Sequence, residues 1–328
     1  MQAVFYEQIG AARDVLQARE LPDPTPGAGE VRVRLRWSGV NPSDAKTRVG
    51  MRTAVLPFPR IVPHSDGMGV IDAVGAGVAA ARLGERVWVW NAGWERAFGT
   101  AAQYVVLPQA QAVLLPDATP DEAGACLGIP ALTAMHAVLA LGGVAGRSVL
   151  VAGGAGAVGH YAVQFAKLLG ARLVIATVSS PAKAELARAA GADLVLDYRR
   201  EPVAQRVLEA TQGVGVDRVI EVDIAANALL NLDIVRPGGE FVVYGSGAMT
   251  FNLPFGPLIS KNLTLAFFIV YKLAAADRER AVSTLTEFLT TGVLSHNIGE
   301  RLPLAEIALA HEHVEQGQTL GNVVLSIP

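Results

Sequence analysis

The sequence predicts an α/β protein in which a doubly wound parallel sheet is inserted into a β-barrel-like domain. Two observations lead to this prediction: short strands between irregular loops fill the first third of the chain, and strands alternate with helices from near residue 123. After residue 270 the pattern becomes less regular, and we expect this tail to return to the first domain. The predicted domains are therefore residues 1–123 with 263–328, and residues 124–262 between them.

The β domain is predicted from one long alternating segment and several shorter ones. Residues 30–39 alternate apolar side chains with arginines, and a period of two is typical of a half-buried strand. Further short strands are predicted at residues 67–75, 85–90 and 102–107. Clusters of proline and glycine separate these segments, which favours a barrel-like arrangement with irregular loops.

The middle of the chain alternates five strands with four helices, which predicts a doubly wound parallel sheet. The strands are predicted at Ser148–Ala152, Leu173–Val178, Leu194–Asp197, Val216–Val222 and Glu240–Tyr244, and the helices at Val158–Leu169, Pro181–Ala190, Pro202–Ala210 and Ala225–Val235. The apolar run Leu263–Val270 is a candidate for the last strand of the sheet. The tail is predicted to form helices at Asp277–Thr290 and Leu304–Gln316 and a strand at Asn322–Ile327.

Composition and charge exclude several classes of protein. The 328 residues carry a formal net charge of −3, without the basic excess of a nucleic-acid-binding protein. The single cysteine excludes an internal disulfide framework and a multi-thiolate metal site, and we expect a reducing, cytoplasmic location. The charge-free window between Glu122 and Arg147 contains several glycines and Pro130, so we expect buried helices rather than a membrane span. The N-terminal segment lacks the basic and apolar regions of a signal peptide.

The strongest motif is a glycine-rich loop between a predicted strand and a predicted helix. Gly154, Gly156 and Gly159 form the pattern G-x-G-x-x-G. The first glycine permits a tight turn, the second lets a pyrophosphate approach the backbone, and the third lets the helix pack on the strand. The alternative is a structural turn, but the surrounding β–α units favour a dinucleotide site with phosphates at the helix N-terminus. The remaining residues of this site are Ala155, Ala157 and Val158.

The end of the second strand of this sheet predicts which dinucleotide is bound. Folds of this kind that prefer NAD usually carry Asp or Glu about 20 residues after the glycine loop, on the ribose 2′-hydroxyl. Here Ser179 and Ser180 are followed by Lys183, and Glu185 is already inside the next helix. Hydroxyls and an ammonium group suit a 2′-phosphate, so the sequence predicts NADPH. The alternative for Lys183 is a solvated helix residue.

Several segments, in the same order, resemble the zinc-independent quinone oxidoreductases, the zeta-crystallin-like branch of the medium-chain dehydrogenase/reductase superfamily. The resemblance spans nearly the whole chain and includes, besides the glycine loop, Ser38–Asp44, Gly128–Ala134, Asp197–Arg199, Pro237–Gly239 and Gly321–Leu325. It implies a GroES-like domain formed by both chain ends, a central Rossmann domain and an active cleft between them. It also implies hydride transfer from NADPH to a quinone or an activated alkene.

The resemblance further implies that no zinc is bound. Zinc-containing relatives place a cysteine just before the Gly-x-Asn segment and a histidine within a Gly-His-Glu motif, where this chain carries Ser38 and Ser65. A zinc ion would have to use His64 with Asp66 and no thiolate. The four-cysteine lobe of structural zinc is also missing, and Cys126 is interpreted as a buried, inert thiol.

Carried over residue by residue, the resemblance places the catalytic positions in one segment. Asn41 and Asp44 match polar positions near the nicotinamide. Lys46 matches the Asn-Pro-x-Asp-x-Lys pattern of alkenal and enone reductases rather than the tyrosine of quinone reductases. Arg52 stands where enoyl-thioester reductases carry a proton-donating tyrosine, which argues against that branch. The alternatives are a turn residue for Asn41, a helix cap for Asp44 and a surface charge for Lys46.

The other predicted cofactor positions are spread along the chain. The resemblance places five residues beside the cofactor: Thr133, Tyr198, Phe268, Ile269 and Asn322. Gly245 and Ser246 follow a strand at the carboxyl edge of the predicted sheet, where ligands bind. Ordinary packing or turn roles are the alternatives at these positions. Five histidines lack metal spacing or a partner motif and are interpreted as structural or surface residues: His136, His160, His296, His311 and His313.

Two functions remain open on the sequence alone. The first is an NADPH-dependent reductase of quinones or of enone- and alkenal-type carbonyl compounds, in which Asn41 and Lys46 stabilise the developing oxygen anion and the proton comes from water or Lys46. The second is a nucleotide-responsive binding protein with little turnover, in a crystallin- or RNA-binding-like role, although the net charge weighs against RNA. We expect a small-molecule substrate, neither nucleic acid nor membrane as a partner, and a homodimer through the apolar edge Leu263–Val270.

Overall fold

The computed structural model describes residues 1–51, 55–317 and 319–328. Arg52, whose position was compared with a proton-donating tyrosine, lies outside the described residues. By its internal contacts the chain divides into two units, Met1–Ile129 with Thr286–Pro328 and Pro130–Leu285. The chain therefore enters the second unit once and returns to the first, where its C-terminal segment completes a sheet.

The two units contain fifteen strands and eleven helices in the described part of the chain. The strands are β1 (Gln2–Phe5), β2 (Gln17–Glu20), β3 (Glu30–Val40), β4 (Asp66–Val74), β5 (Arg86–Val89), β6 (Tyr104–Pro108), β7 (Ala112–Leu114), β8 (Ser148–Val151), β9 (Leu173–Val178), β10 (Leu194–Asp197), β11 (Val216–Glu221), β12 (Val235–Val243), β13 (Thr264–Phe267), β14 (Ile298–Pro303) and β15 (Asn322–Ser326). The helices are α1 (Ala12–Val15), α2 (Pro42–Arg48), α3 (Asp121–Gly124), α4 (Leu132–Leu139), α5 (Ala157–Leu168), α6 (Pro181–Ala189), α7 (Val203–Ala210), α8 (Ile224–Ile234), α9 (Phe255–Ser260), α10 (Ala275–Thr291) and α11 (Ile307–Gln316).

The second unit is built on a six-stranded sheet with the strand order β10-β9-β8-β11-β12-β13. Each neighbouring pair is parallel, which confirms the predicted doubly wound sheet. The strand order reverses between β8 and β11, and ligands bind such sheets at the carboxyl ends of the strands near this reversal. Apolar side chains that share one face of this sheet, such as Ile175, Val219 and Phe241, are fully buried in the core of this unit.

The first unit contains a seven-stranded sheet with the order β14-β15-β3-β4-β5-β7, to which β6 adds by pairing with β3. The alternation predicted for β3 is confirmed, because Val31, Val33 and Leu35 are buried. On the opposite face, Arg32 pairs with Asp72 at 2.9 Å between Nε and Oδ1. A separate hairpin of β1 and β2 completes the strands of this unit.

The observed unit boundaries differ from those expected at residues 123 and 263. Residues 263–285 belong to the second unit, because β13 pairs in parallel with β12 and Phe267 lies opposite Val243. At the other boundary, Gly124 belongs to the first unit, since a Cβ there would lie 2.7 Å from Cγ of Met68 on β4. β13 lies within the run Leu263–Val270, which the sequence offered as the last strand of this sheet, although the predicted domain division placed that run in the first domain.

The charge-free window between Glu122 and Arg147 folds as short segments. It contains the end of α3, the π-helical turn Leu127–Ala131, α4 and a final 3₁₀ turn. No helix among the described residues has the length and apolar character needed to cross a membrane.

Candidate functional site

The glycine-rich loop connects β8 to α5, and close contacts explain its glycines. Gly153 has a φ of +69°, in the left-handed region that favours glycine. A Cβ on Gly154 would lie 2.6 Å from Cβ of Ala176 on β9, and a Cβ on Gly159 would lie 2.1 Å from the carbonyl oxygen of Gly153. The tight turn expected at Gly154 is thus made by Gly153, while Gly159 allows α5 to lie against the loop.

This loop ends at the N-terminus of α5. Gly156 is the N-cap, and the first helical hydrogen bond runs from the N–H of His160 to the carbonyl of Gly156 at 3.0 Å. The N–H groups of Ala157 and Val158 precede that bond and have no carbonyl acceptor within the helix. Together with the helix dipole, these N–H groups form a site suited to a diphosphate, so residues 154–159 make up one continuous candidate phosphate turn.

The carboxyl end of β9 brings together the residues predicted to surround a 2′-phosphate. Ser180 is the N-cap of α6, and its hydroxyl accepts the N–H of Lys183 at 3.4 Å. The Lys183 ammonium group donates to the hydroxyl of Ser179 at 3.2 Å. Tyr198 follows β10, donates its backbone N–H to the carbonyl of Val178 at 3.0 Å, and is 52% exposed. Lys183 is therefore directed towards the end of β9 rather than away from it.

Two carboxylates near this cluster are engaged elsewhere. Glu185 pairs with Arg188 on the same helix, with 2.6 Å between Oε1 and Nη1. Asp197 accepts the backbone N–H of Arg199 at 3.0 Å. Within the described residues neither carboxylate forms an ion pair with Lys183, so a bound anion would meet an unopposed positive charge there.

Two cavities lie beside the ends of β12 and β13. The first, about 230 Å³, is lined by Gly245, Ser246 and Phe268, and the second, about 520 Å³, by Phe268, Ile269 and His136. A Cβ on Gly245 would lie 2.2 Å from the carbonyl oxygen of Val222, so only glycine allows this approach of the backbone. The structure therefore groups four of the predicted cofactor positions around these cavities.

Helix α4 contributes a residue that the sequence interpretation missed. The ring of His136 meets the ring of Phe268 edge to face, with 4.5 Å between their centroids. Thr133 lies one turn earlier on α4 and is buried. Burial lowers the pKa of His136, so this imidazole is neutral at physiological pH. In the sequence, the spacing of three residues between Thr133 and His136 was the one signal that both lie on the same helix face.

In the first unit, helix α2 begins with a capping box that involves two of the candidate catalytic residues. The Asn41 side chain accepts the N–H of Asp44, and Oδ2 of Asp44 accepts the N–H of Asn41 at 2.8 Å. The Asn41 amide also donates from Nδ2 to Oδ2 of Asp66 at 2.8 Å. Asp44 thus caps the helix, and the orientation of the Asn41 amide is set by partners at both of its ends.

Two further candidates lie near the start of α2. Asn322 begins β15, and the pairing of Val323 with Val40 places it level with Asn41. Its amide donates to the carbonyl oxygen of Asn297 at 2.9 Å. Lys46 is half-buried and follows Asn41, the N-cap of α2, by five residues. The first unit therefore brings Asn41 and Asn322 together and holds Lys46 on the same helix.

Asp66 is the buried acid behind Asn41. Its side chain is fully buried, and this burial raises the pKa of the carboxyl well above its usual range, while the hydrogen bond from Asn41 acts in the opposite direction. A Cβ on Gly128 would lie 2.4 Å from Oδ1 of Asp66, so glycine is required where the chain passes this carboxyl. The sequence suggested Asp66 only as an alternative metal ligand, whereas its contact in the structure is with a candidate catalytic amide.

The residues at the zinc positions of related enzymes do not fit a zinc ion. Ser38 Oγ lies 2.9 Å from Nδ1 of His64, and Nε2 of His64 lies 2.9 Å from Nε2 of His311. Both ring nitrogens of His64 are therefore engaged by protein groups, and Ser65 supplies only a hydroxyl. Across residues 1–51, 55–317 and 319–328, no group of three or more His, Cys, Asp or Glu side chains is placed to hold a metal. The absence of zinc stays a prediction for metal analysis.

Comparison with protein families and curated proteins gives consistent matches. The description of one family model is "alcohol dehydrogenase GroES-like domain", over residues 27–117, and that of a second is "zinc-binding dehydrogenase", over residues 157–288. A quinone oxidoreductase of Pseudomonas aeruginosa is 34% identical over 322 residues, which cover 95% of each chain. A 2-haloacrylate reductase of a Burkholderia species is 31% identical over 336 residues, covering 99% of this chain and 98% of that protein.

Solved structures share the fold over the whole chain. An NAD-dependent alcohol dehydrogenase matches with a TM-score of 0.92 and 31% identity, covering 100% of both chains. The Escherichia coli quinone oxidoreductase complexed with NADPH matches with a TM-score of 0.86 and 25% identity, covering 99% of this chain and 100% of that one. The GroES-like unit, the Rossmann unit and these relatives lead to one conclusion: the chain belongs to the quinone oxidoreductase branch of the medium-chain dehydrogenase/reductase superfamily.

Proposed function

We propose that the protein uses NADPH to reduce quinones or enone- and alkenal-type carbonyl compounds. The observation that carries the cofactor assignment is the contact between Lys183 and Ser179 at the end of β9, with no carboxylate of the described residues paired to that ammonium group. A 2′-phosphate there would receive charge-assisted hydrogen bonds, whereas a carboxylate would repel it. The NADPH complex of the Escherichia coli relative supports this assignment. Because another relative is NAD-dependent, measuring which cofactor this protein prefers tests the assignment.

The two units would contribute different groups to catalysis. NADPH supplies the hydride when it is bound. The N–H groups at the start of α5 would hold its diphosphate, and the backbone at Gly245 would border its other end. In the first unit, the Asn41 amide has its oxygen engaged by Asp44 and one N–H by Asp66, and its second N–H would be the group offered to a substrate. That N–H and the Lys46 ammonium group would stabilise the negative oxygen that forms during reduction.

The side chains at the positions where related enzymes hold zinc favour electrophilic substrates. Ser38 and Ser65 offer neutral hydroxyls, which are poor zinc ligands compared with thiolate and imidazole. Quinones and activated alkenes accept hydride without a Lewis acid, and the reduced oxygen then needs only hydrogen-bond donors and a proton from water or Lys46. The quinone oxidoreductase and 2-haloacrylate reductase relatives support this choice of reaction.

The direct test is consumption of NADPH, followed by its absorbance, with a panel of acceptors. The panel contains 1,4-benzoquinone, 9,10-phenanthrenequinone and an enone, and we expect turnover with at least one class. Asp66→Asn is a suitable variant for the same assay. It keeps the side-chain volume behind Asn41 while altering the hydrogen bond between residue 66 and the Asn41 amide. Tight binding of NADPH without turnover of any acceptor would instead favour the nucleotide-responsive binding protein.

We also propose a homodimer that forms through the edge of the second sheet. β13 is the last strand of that sheet, and apolar side chains near it are exposed: Phe255, Ile259 and Phe267. Natural proteins usually cover an apolar sheet edge, and a second copy of the same edge would do so. Light scattering at micromolar concentration should give the mass of two chains, and a monomer would contradict the proposal.

The proposed location is the cytoplasm. The single cysteine, Cys126, is buried and forms no disulfide. Burial raises the pKa of this thiol, which keeps it protonated and unreactive. A chain without disulfides is typical of a reducing compartment. Fractionation of the native cell would test this location.

A further inference from the structure

A path of buried hydrogen bonds in the first unit starts at the C-terminal end of helix α2. Arg48, the last residue of α2, lies 3.4 Å from His311 of α11, measured from Nε to Nδ1. His311 meets His64 at 2.9 Å between their Nε2 atoms, with the two ring planes inclined by only 24°. His64 then contacts Ser38 of β3 at 2.9 Å between Nδ1 and Oγ. Four separate segments of the chain are connected by these three bonds.

The path returns to the other end of α2. Ser38 lies 2.7 Å from Thr100 between their hydroxyl oxygens, and Thr100 donates to the carbonyl oxygen of Asp66 at 2.5 Å. The carboxyl of Asp66 accepts from the amide of Asn41, the N-cap of α2. Both ends of the helix that carries Asn41, Asp44 and Lys46 are therefore held by one closed ring of contacts, which we call the α2 ring.

The ends of the path determine the direction of every hydrogen bond in it. The Arg48 guanidinium can only donate and the Asp66 carbonyl can only accept. His311 must therefore accept at Nδ1 and donate from Nε2. His64 in turn accepts at Nε2 and donates from Nδ1 to Ser38. Both imidazoles are neutral, each in one tautomer, and each ring nitrogen has one partner.

This order also shows that the path is no proton relay to solvent. Its outer end is Arg48, which contacts the carbonyl of Gly10 and the carboxylate of Glu315. A guanidinium group keeps its protons throughout the physiological range and cannot pass them to His311. The path can therefore act only through the positions that it imposes.

His64 adopts an unusual backbone conformation to take part. Its φ is +77°, in the left-handed region that residues with a side chain rarely occupy. Strained residues of this kind persist where the surrounding structure holds them in place, and they concentrate at functional sites. The imidazole is 2% exposed and is held by bonds to Ser38 and His311.

We propose that His64 and His311 are positioning residues for the reaction, acting through the α2 ring to set the placement of Asn41 and Lys46. The proposal rests on the proposed function, because it concerns the helix that would face the substrate. Neither imidazole has a ring nitrogen left for a substrate, because each nitrogen of His64 and His311 already contacts a protein group. If a hydrogen bond of the α2 ring is broken, helix α2 should therefore become less rigid. The cofactor residues of the second unit should keep their positions.

The first experiment replaces His311 with phenylalanine, which keeps a ring of similar shape but removes both of its hydrogen bonds. We expect kcat to fall at least tenfold, since misplacement of a catalytic group by about 1 Å can cost about a hundredfold in rate. The dissociation constant for NADPH should stay within about twofold, because its candidate ligands other than Asn322 lie in the other unit. Amide exchange in α2 should become faster, and His311→Gln should recover part of kcat because its amide can still donate to His64.

His313 provides a matched control on the same helix. It lies two residues from His311, but its Nδ1 contacts Glu300 of β14 at 2.9 Å and takes no part in the α2 ring. His313→Phe should therefore leave kcat and the exchange of α2 unchanged. A second variant, His64→Asn, covers the case in which His311→Phe fails to fold. Asparagine tolerates a positive φ and can still donate to Ser38, but it loses the bond to His311.

The outcomes separate the two proposals. Unchanged kcat and unchanged exchange of α2 in folded His311→Phe or His64→Asn would overturn the positioning role. Equal losses of kcat, NADPH affinity and thermal stability would overturn it as well, because they indicate general destabilisation. If the unmodified protein turns over no acceptor, the proposed function fails, while faster exchange of α2 in His64→Asn than in His313→Phe still supports the α2 ring.

Discussion

Replacing His64 with asparagine removes a buried imidazole that the folded protein keeps neutral. Burial lowers the pKa of His64 to about 3, from an ordinary value of 6.5. As the pH falls through 6.5, the unfolded chain therefore binds a proton that the native protein does not bind. The free energy of unfolding falls with it, since protons bound only by the unfolded state favour unfolding. The stabilising contribution is present above pH 6.5 and is lost progressively as the pH approaches 3.

The expected size follows from this difference in pKa. One proton corresponds to about 1.4 kcal/mol per pH unit, so His64 alone should lower the free energy of unfolding by about 2 kcal/mol between pH 7 and pH 5. His311 and His296 add to this loss, because burial lowers the pKa of both. Asp66 opposes it, because burial raises the pKa of its carboxyl and the native protein keeps a proton that the unfolded chain releases. In the comparison of variant with unmodified protein, any change at His311 counts with the loss of His64, because His64 helps to lower the pKa of His311.

The assay is denaturant unfolding at pH 7 and pH 5 of the unmodified protein and His64→Asn. The unmodified protein should lose about 2 kcal/mol more stability on acidification than His64→Asn. Equal losses in the unmodified protein and His64→Asn would refute the reasoning, because His64 would then titrate alike in the folded and unfolded chains.

Three further predictions concern single sites. Lys183→Ala should reduce the preference for NADPH over NADH about ten- to hundredfold in kcat/KM, since a charge-assisted contact contributes about 1.5–3 kcal/mol; Lys167→Ala, whose ammonium group pairs with Asp193, should leave the preference unchanged. Lys46→Ala should lower turnover more than NADPH affinity, measured by steady-state kinetics and direct titration, and full turnover with every acceptor would reduce Lys46 to a surface charge. Metal analysis of untreated protein should find well under one zinc per chain, and stoichiometric zinc lost together with activity would contradict the interpretation of Ser38 and Ser65.

The fold was largely predictable because its signals are local. The strands Leu173–Val178 and Leu194–Asp197 agree residue for residue with β9 and β10, since short apolar runs between helical segments define their own ends. The alternation in β3 likewise follows from burial of one face. The run Leu263–Val270 was offered as the last strand of the sheet and contains β13, whereas the predicted domain division at residue 263 left it out of the unit in which the structure places it.

The candidate site was predictable only in part, for the same reason. Ser179, Ser180 and Lys183 are close in sequence, so helix geometry alone brings them together. His64 and His311 are 247 residues apart, and their contact depends on how α11 packs against the loop before β4. From sequence spacing, His311 could be compared only with His313 on the same helix, and it was therefore interpreted as an isolated residue. Buried networks between distant segments have no counterpart in the sequence pattern.

The most direct test of the central claim is the cofactor preference of the unmodified protein with its best acceptor. The measurement is kcat/KM for NADPH and for NADH under identical conditions. The Lys183 ammonium group and the hydroxyls at the end of β9 predict a preference of at least about tenfold for NADPH. Equal efficiency with both cofactors would contradict the account, and a preference for NADH would reverse it.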